Sequence, residues 1–191
     1  MPSIPINQMN RGQALRWTDG EIYAIISMDH VKPGKGPAYQ QTKMRNVQTG
    51  KIIENRYRSE DRVELIDVDR QGCSFSYQSG DNYVFLNDKT YEEVEVPATV
   101  LGEGKYYLLD GVSATVMLAE GRVLGIELPA SVVMTVTECD PGVKNATATN
   151  VFKNGVVETG MAVQIPPFIN VGDKVKINTA DGAYLERVAI G

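Results

Sequence analysis

Short runs rich in Val, Ile, Thr and Tyr recur along the chain, each closed within a few residues by Gly, Asn or Asp. Runs of this length and composition between turn residues predict strands. Clear instances are Glu21–Ile26, Ser74–Tyr77, Tyr83–Leu86, Ala114–Leu118 and Val132–Val136. Turn signals fall at Thr18-Asp19-Gly20, Gln48-Thr49-Gly50, Gln78–Asp81, Ala119-Glu120-Gly121, Asp140-Pro141-Gly142, Lys153-Asn154-Gly155 and Ala180-Asp181-Gly182. The one place for a short helix is within Tyr91–Leu109, after Pro97, where Gly102 and Gly104 limit it. The pattern predicts an all-β chain. Short antiparallel strands remove their exposed edges by closing into small barrels.

Two changes of character divide the chain. Basic residues thin out after Arg58–Glu64, and Pro129 punctuates two apolar strands. The expected pieces are residues 1–65, 66–128 and 129–191, each at the small end for independent stability, so that mutual packing would help them. No short-period repeat marks a solenoid or propeller.

The 191 residues are 42% hydrophobic and 23% charged, an ordinary globular composition. No run approaches the roughly 18 apolar residues that cross a bilayer, and the start lacks the pattern of a signal peptide, which predicts a cytoplasmic protein with no membrane partner. Cys73 and Cys139 stand far apart with no second cysteine or histidine near either, so two reduced, half-buried thiols are expected and no metal or other cofactor. A single histidine, His30, counts against histidine-dependent hydrolysis and multi-histidine metal centres.

Charge changes the picture more than composition does. The net charge is −5, yet residues 1–65 carry ten Lys or Arg against seven Asp or Glu, and the remainder nine against seventeen. Within Met28–Arg58 seven basic residues face only Asp29 and Glu54. A phosphate-bearing partner would be met there, although solvated strand faces explain the same residues equally well.

The most distinctive stretch, Asp29–Tyr39, lies inside that basic segment and between two strand runs, Glu21–Met28 and Tyr39–Val47. Its geometry is a hairpin with Lys35 at the tip. Gly34 and Gly36 permit positive φ on either side of the lysine, while Pro33 and Pro37 restrict the flanks and withhold two ladder donors. The product is a narrow finger ending in an ammonium group on a flexible stem, suited to a tight, phosphate-lined cleft.

Val31–Ala38, followed by Thr42–Lys51, closely resembles the N-terminal domain of the bacterial elongation factor P family. The resemblance continues through Ser76-Tyr77, Gly80-Asp81 and Tyr83–Asn87, then Asp140–Lys144, Glu158-Thr159-Gly160, Val163–Ile169 and Asp181–Arg187. It implies three small barrels, an SH3-like (KOW-like) domain followed by two OB-fold domains, with an overall shape like transfer RNA. It further implies a non-enzymatic, monomeric translation factor. Such a factor binds both ribosomal subunits beside the peptidyl-tRNA and relieves stalling at consecutive prolines by positioning the CCA end.

By motif position the tip lysine is Lys35, a modification site in many family members; the symmetric Pro33–Pro37 loop resembles members in which it works bare. A lysine-modifying enzyme is an additional partner where modification occurs. Lys32, His30, Lys43 and Arg45 take the place of supporting RNA contacts. In the last third, Lys144, Asn145 and Thr147 match the loop that approaches exit-site mRNA, where Asn145-Ala146 and Asn154-Gly155 depart from the usual pattern. Tyr184 and Arg187 match further RNA contacts, with barrel packing and a solvent-facing arginine as the plain alternative. Two other readings stay open: a paralogous factor of the same fold, which usually carries a different tip, and a ribosome-independent OB-fold RNA-binding protein stacking bases on Phe75, Tyr77, Tyr83 and Phe85.

Overall fold

The computed structural model describes residues 2–141 and 151–189. The fold is all-β, built on three antiparallel sheets, and it divides into two compact units. The first unit runs to Leu101 and includes Ala114–Glu127; the second comprises Gly102–Ser113 and the chain from Leu128.

The first sheet contains β1 (Ser3–Pro5), β2 (Ala14–Arg16), β3 (Ile22–Val31), β4 (Tyr39–Asn46), β5 (Ile52–Arg58) and β6 (Arg62–Ile66), in the spatial order β1-β6-β2-β3-β4-β5. Its core gathers Ile6, Met9, Leu15, Tyr23, Ile25, Met44, Tyr57 and Val63. Residues two apart, such as Tyr23 and Ile25, point to the same face of a strand. The partners of that alternation, including Arg45, Arg56 and Arg58, therefore face away from this core. Trp17 closes one side, with ring centroids 5.9 Å from Tyr23 and 6.0 Å from Tyr57.

The second sheet contains β7 (Asp69–Ser79), β8 (Asn82–Asn87), β9 (Glu93–Pro97), β10 (Ser113–Ala119) and β11 (Arg122–Glu127), in the order β11-β10-β7-β8-β9. After Pro97 comes one α-helical turn, the only one among the described residues, α1 (Ala98–Leu101), where the sequence placed a short helix; Gly102, at φ +53°, ends it and a 3-10 turn follows. Ala119 pairs directly with Arg122, so Glu120 and Gly121 form a two-residue hairpin with positive φ at both positions.

Within the first unit the two sheets share an apolar seam. Ala14, Ile22 and Ile66 from the first sheet are buried together with Ala119 and Leu124 from the second. Arg16 reaches across to Glu120 at 2.5 Å, and Arg122 donates to Gln48 at 3.1 Å. The exposed ion pair and the exposed hydrogen bond each add little, and the buried apolar groups carry most of this contact.

In the second unit, β12 (Ser131–Cys139) pairs with both β13 (Lys153–Val157) and β15 (Lys174–Asn178), and β14 (Ala162–Ile165) and β16 (Tyr184–Val188) form the edges. The alternating set Val132, Met134 and Val136 is buried with Val163, Ile165, Val175 and Ile177. One turn expectation is corrected here. Lys153-Asn154-Gly155 is strand, not turn, and Gly155 serves packing: a Cβ on it would lie 2.6 Å from Ile165 Cδ1. Both thiols are free; Cys73 is fully buried rather than half-buried, because it faces the interior of the second sheet.

Two core polar groups give tests. The Thr42 hydroxyl is fully buried and has no hydrogen-bond partner among the described residues. Thr42→Val should therefore raise stability by about 1 kcal/mol in urea denaturation, and a loss of that size would show the hydroxyl to be satisfied. Burial raises the Tyr57 hydroxyl to about 12, with Asp61 adding to the shift and Asn55 opposing it. An unfolded chain ionises near pH 10 while the folded one does not, so Tyr57 stabilises below about pH 10 and that contribution disappears between there and pH 12. Tyr57→Phe should reduce the alkaline loss of stability in denaturation measured across this range; an unchanged slope would assign it elsewhere.

Candidate nucleic-acid interface

The β3–β4 ladder runs from Tyr23 opposite Asn46 to Val31 opposite Tyr39, and residues 32–38 extend beyond its last pair. Lys35 is the midpoint of that loop, and every residue from Lys32 to Pro37 is exposed. The hairpin with a lysine at its tip is thus present where the sequence placed it. Its glycines differ in role. Gly36 has φ +109°, and a Cβ there would lie 3.9 Å from the Pro33 ring; Gly34 is outside the left-handed region with open space around it. Only Gly36 uses the freedom that the sequence suggested for both.

Cross-strand register decides which side chains accompany the tip. Val31, Tyr39 and Arg58 stand opposite one another across β3, β4 and β5, as do Asp29, Gln41 and Arg56 one step lower. The Arg56 guanidinium lies over the Tyr39 ring, 5.2 Å from its centroid. That stacking holds a cation beside the base of the loop. Lys43 is paired with Glu54 at 3.2 Å, so its charge is partly compensated. Lys32 and Lys35 have no ion pair among the described residues. His30 occupies the opposite face, across from Gln40, and lines a shallow groove with Met9, Arg11 and Met28.

Arg45, named from the sequence as a supporting RNA contact, is half-buried. Its guanidinium turns into the seam and donates to the Leu124 carbonyl of β11, and burial lowers its pKa. The sequence places Arg56 and Arg58 in the basic segment Met28–Arg58 without naming them as RNA contacts, and it does not single out Arg11. The alternation Arg56-Tyr57-Arg58 was the available signal, but it becomes informative only with the register to β4.

In the second unit Tyr184 packs against the core, and burial raises its hydroxyl pKa. Arg187 is exposed and lies 3.5 Å from Asp173. Lys144, Asn145 and Thr147 lie outside the described residues. The aromatic group in the second sheet is largely interior: Phe85 and Tyr83 are buried, Phe75 packs on both, and exposed Tyr77 bonds to Glu93. It offers no row of free ring faces for stacked bases. Among the described residues no group of acidic, cysteine and histidine side chains is arranged to hold a metal, and no helix is long and apolar enough to cross a membrane.

Three family models match successive parts of the chain. They are the elongation factor P KOW-like domain at residues 6–63, the elongation factor P OB domain at 68–126 and the elongation factor P C-terminal domain at 132–187. Elongation factor P of Exiguobacterium sp. is 41% identical over 184 residues, covering 96% of this chain and 98% of its own. Elongation factor P of Acidobacterium capsulatum is 42% identical over 185 residues, covering 97% and 99%. That of Persephonella marina is 43% identical over 185 residues, covering 97% of each.

The unequal glycines give a direct test of the loop. Gly36→Ala should cost about 1 to 2 kcal/mol, because an L side chain is strained at its φ, whereas Gly34→Ala should change stability by less than about 0.5 kcal/mol. Chemical denaturation of both variants checks this, and equal effects would contradict the loop geometry.

Proposed function

This chain belongs to the elongation factor P family and is a translation elongation factor, and from that premise we propose that Lys35 is the group it delivers to the ribosome. The factor binds beside the peptidyl-tRNA, and the ribbon of β3 and β4 carries the Lys35 ammonium toward the CCA end. The KOW-like barrel is residues 1–65, with OB barrels at 66–128 and 129–191, a division that the three sheets support.

The observation that carries the reading is the position of Lys35: the midpoint of an exposed loop, past the last ladder pair, with no carboxylate bound to it among the described residues. An uncompensated ammonium on a narrow support can approach phosphate oxygens that a wider loop could not reach. Lys32, Arg56 and Arg58 add positive charge along the same end of the ribbon, and His30 lies on its other face.

No acid, base or nucleophile is needed from this chain. Proline's ring restricts the approach of its nitrogen to the ester, and holding the two reactants in register can remove several kcal/mol from the barrier. Lys35 contributes by charge and placement, while the ribosome performs the chemistry. The compact Pro33–Gly36 loop supports a lysine that acts without extension. Work of this kind belongs to the cytoplasm, where the ribosome is the partner.

Translation of a reporter with consecutive prolines, in a reconstituted system with recombinant unmodified protein, tests the reading. Wild type should relieve the stall and Lys35→Ala should lose at least about tenfold of that relief, the scale of a misplaced positioning group. A Lys35→Ala protein as active as wild type would remove the proposal. Relief only by protein from its native source would show that Lys35 requires modification.

A further inference from the structure

The β3–β4 ribbon that ends in Lys35 begins at the seam between the first and second sheets, and one side chain ties the two at that point. In the β10–β11 pair, Met117 stands opposite Gly125 and Leu118 opposite Val123, which leaves Leu124 as the extra residue of a β-bulge. A bulge residue has no directly opposed partner in the ladder. The Leu124 carbonyl is taken instead by the Arg45 guanidinium, from β4 of the other sheet. The next residue, Gly125, lies beside the same contact: a Cβ there would meet Arg45 Nη2 at 3.7 Å, an ordinary contact, and the flexible end of Met117 at 2.8 Å. Bulge and arginine together form the contact, and Ala24, the β3 partner of Arg45, packs against the same seam.

Resting on the Lys35 reading above, we infer that Arg45 is a positioning residue for Lys35, fixing the base of the ribbon to the second barrel through the Leu124 carbonyl. From the pair Ala24 and Arg45 to the pair Val31 and Tyr39 the ribbon is about 20 Å long, so a tilt of roughly 3° at its base moves the tip by about 1 Å. A displacement of that size is enough to lower the rate of a reaction that depends on placement by up to about a hundredfold. The apolar seam holds the sheets together, but apolar contact is non-directional. At the base of the ribbon the charged hydrogen bond to a single carbonyl supplies direction, whereas the exposed Arg16–Glu120 and Arg122–Gln48 contacts lie elsewhere along the seam.

The test measures dipeptide formation between two prolines in the reconstituted system, against factor concentration, with Arg45→Met, Lys35→Ala and the double variant. Arg45→Met keeps the length of the stem and removes the donors. Its saturating rate should fall about tenfold while the half-saturating concentration changes by less than about twofold, since the binding surfaces are intact. Arg45→Lys, which retains a donor, should recover part of the loss and serves as the second variant if Arg45→Met does not melt cooperatively. In the Lys35→Ala background the Arg45 substitution should change the rate by less than about twofold, because there is no longer a tip charge to place.

A full saturating rate for Arg45→Met, alongside an impaired Lys35→Ala, would overturn the inference and leave the Lys35 reading standing. So would an equal loss from Arg45→Met in both backgrounds, since Arg45 would then act independently of the tip. Full activity of Lys35→Ala would remove the Lys35 reading, and this inference with it.

Discussion

Antiparallel pairing of β3 with β4 determines where Lys35 can be, and through it where each of its companions stands. A two-stranded hairpin alone is marginal in water. Here β5 adds a third strand, and one face of the ribbon's lower half is sealed by Tyr23, Ile25, Met44 and Tyr57. The ribbon gains stiffness from its base and leaves only the loop around Lys35 unsupported. Pro33 and Pro37 lie in that loop, beyond the last pair, where a missing N–H costs no ladder bond.

The same pairing separates cations by task. Lys43 faces Glu54, Arg45 is drawn into the seam, Arg56 is held over Tyr39, and Lys35 and Lys32 have no ion pair among the described residues. A chain of net charge −5 can thus present a concentrated positive end. Because charges separated by more than about 8 Å are screened at physiological salt, local arrangement rather than net charge governs what meets that end.

Much of this was legible in the sequence. The apolar runs and turn residues gave the strand class, and Pro-Gly-Lys-Gly-Pro between two strands placed Lys35 at a hairpin tip. The parts that were not legible depend on register. Arg45 and Lys43 look alike as basic residues on one strand, and only the partner across the sheet distinguishes a seam bond from a surface ion pair. Asn154-Gly155 has the composition of a turn, yet Gly155 lies in a strand paired on both sides, with Cys139 and with Val163, and Ile165 fills the space a side chain would take. The bulge at Leu124 leaves no mark in composition, since nothing in the residues themselves says which strand gains an extra member.

In the proposed function the loop around Lys35 lies against the end of the peptidyl-tRNA during a proline stall. A photoreactive side chain at position 34 tests it most directly, because that position has open space and an unstrained backbone and leaves Lys35 intact. On ribosomes stalled at consecutive prolines the account predicts crosslinks to the 3′-terminal nucleotides of the peptidyl-tRNA. Crosslinks confined to other ribosomal components, with none to that tRNA, would contradict it.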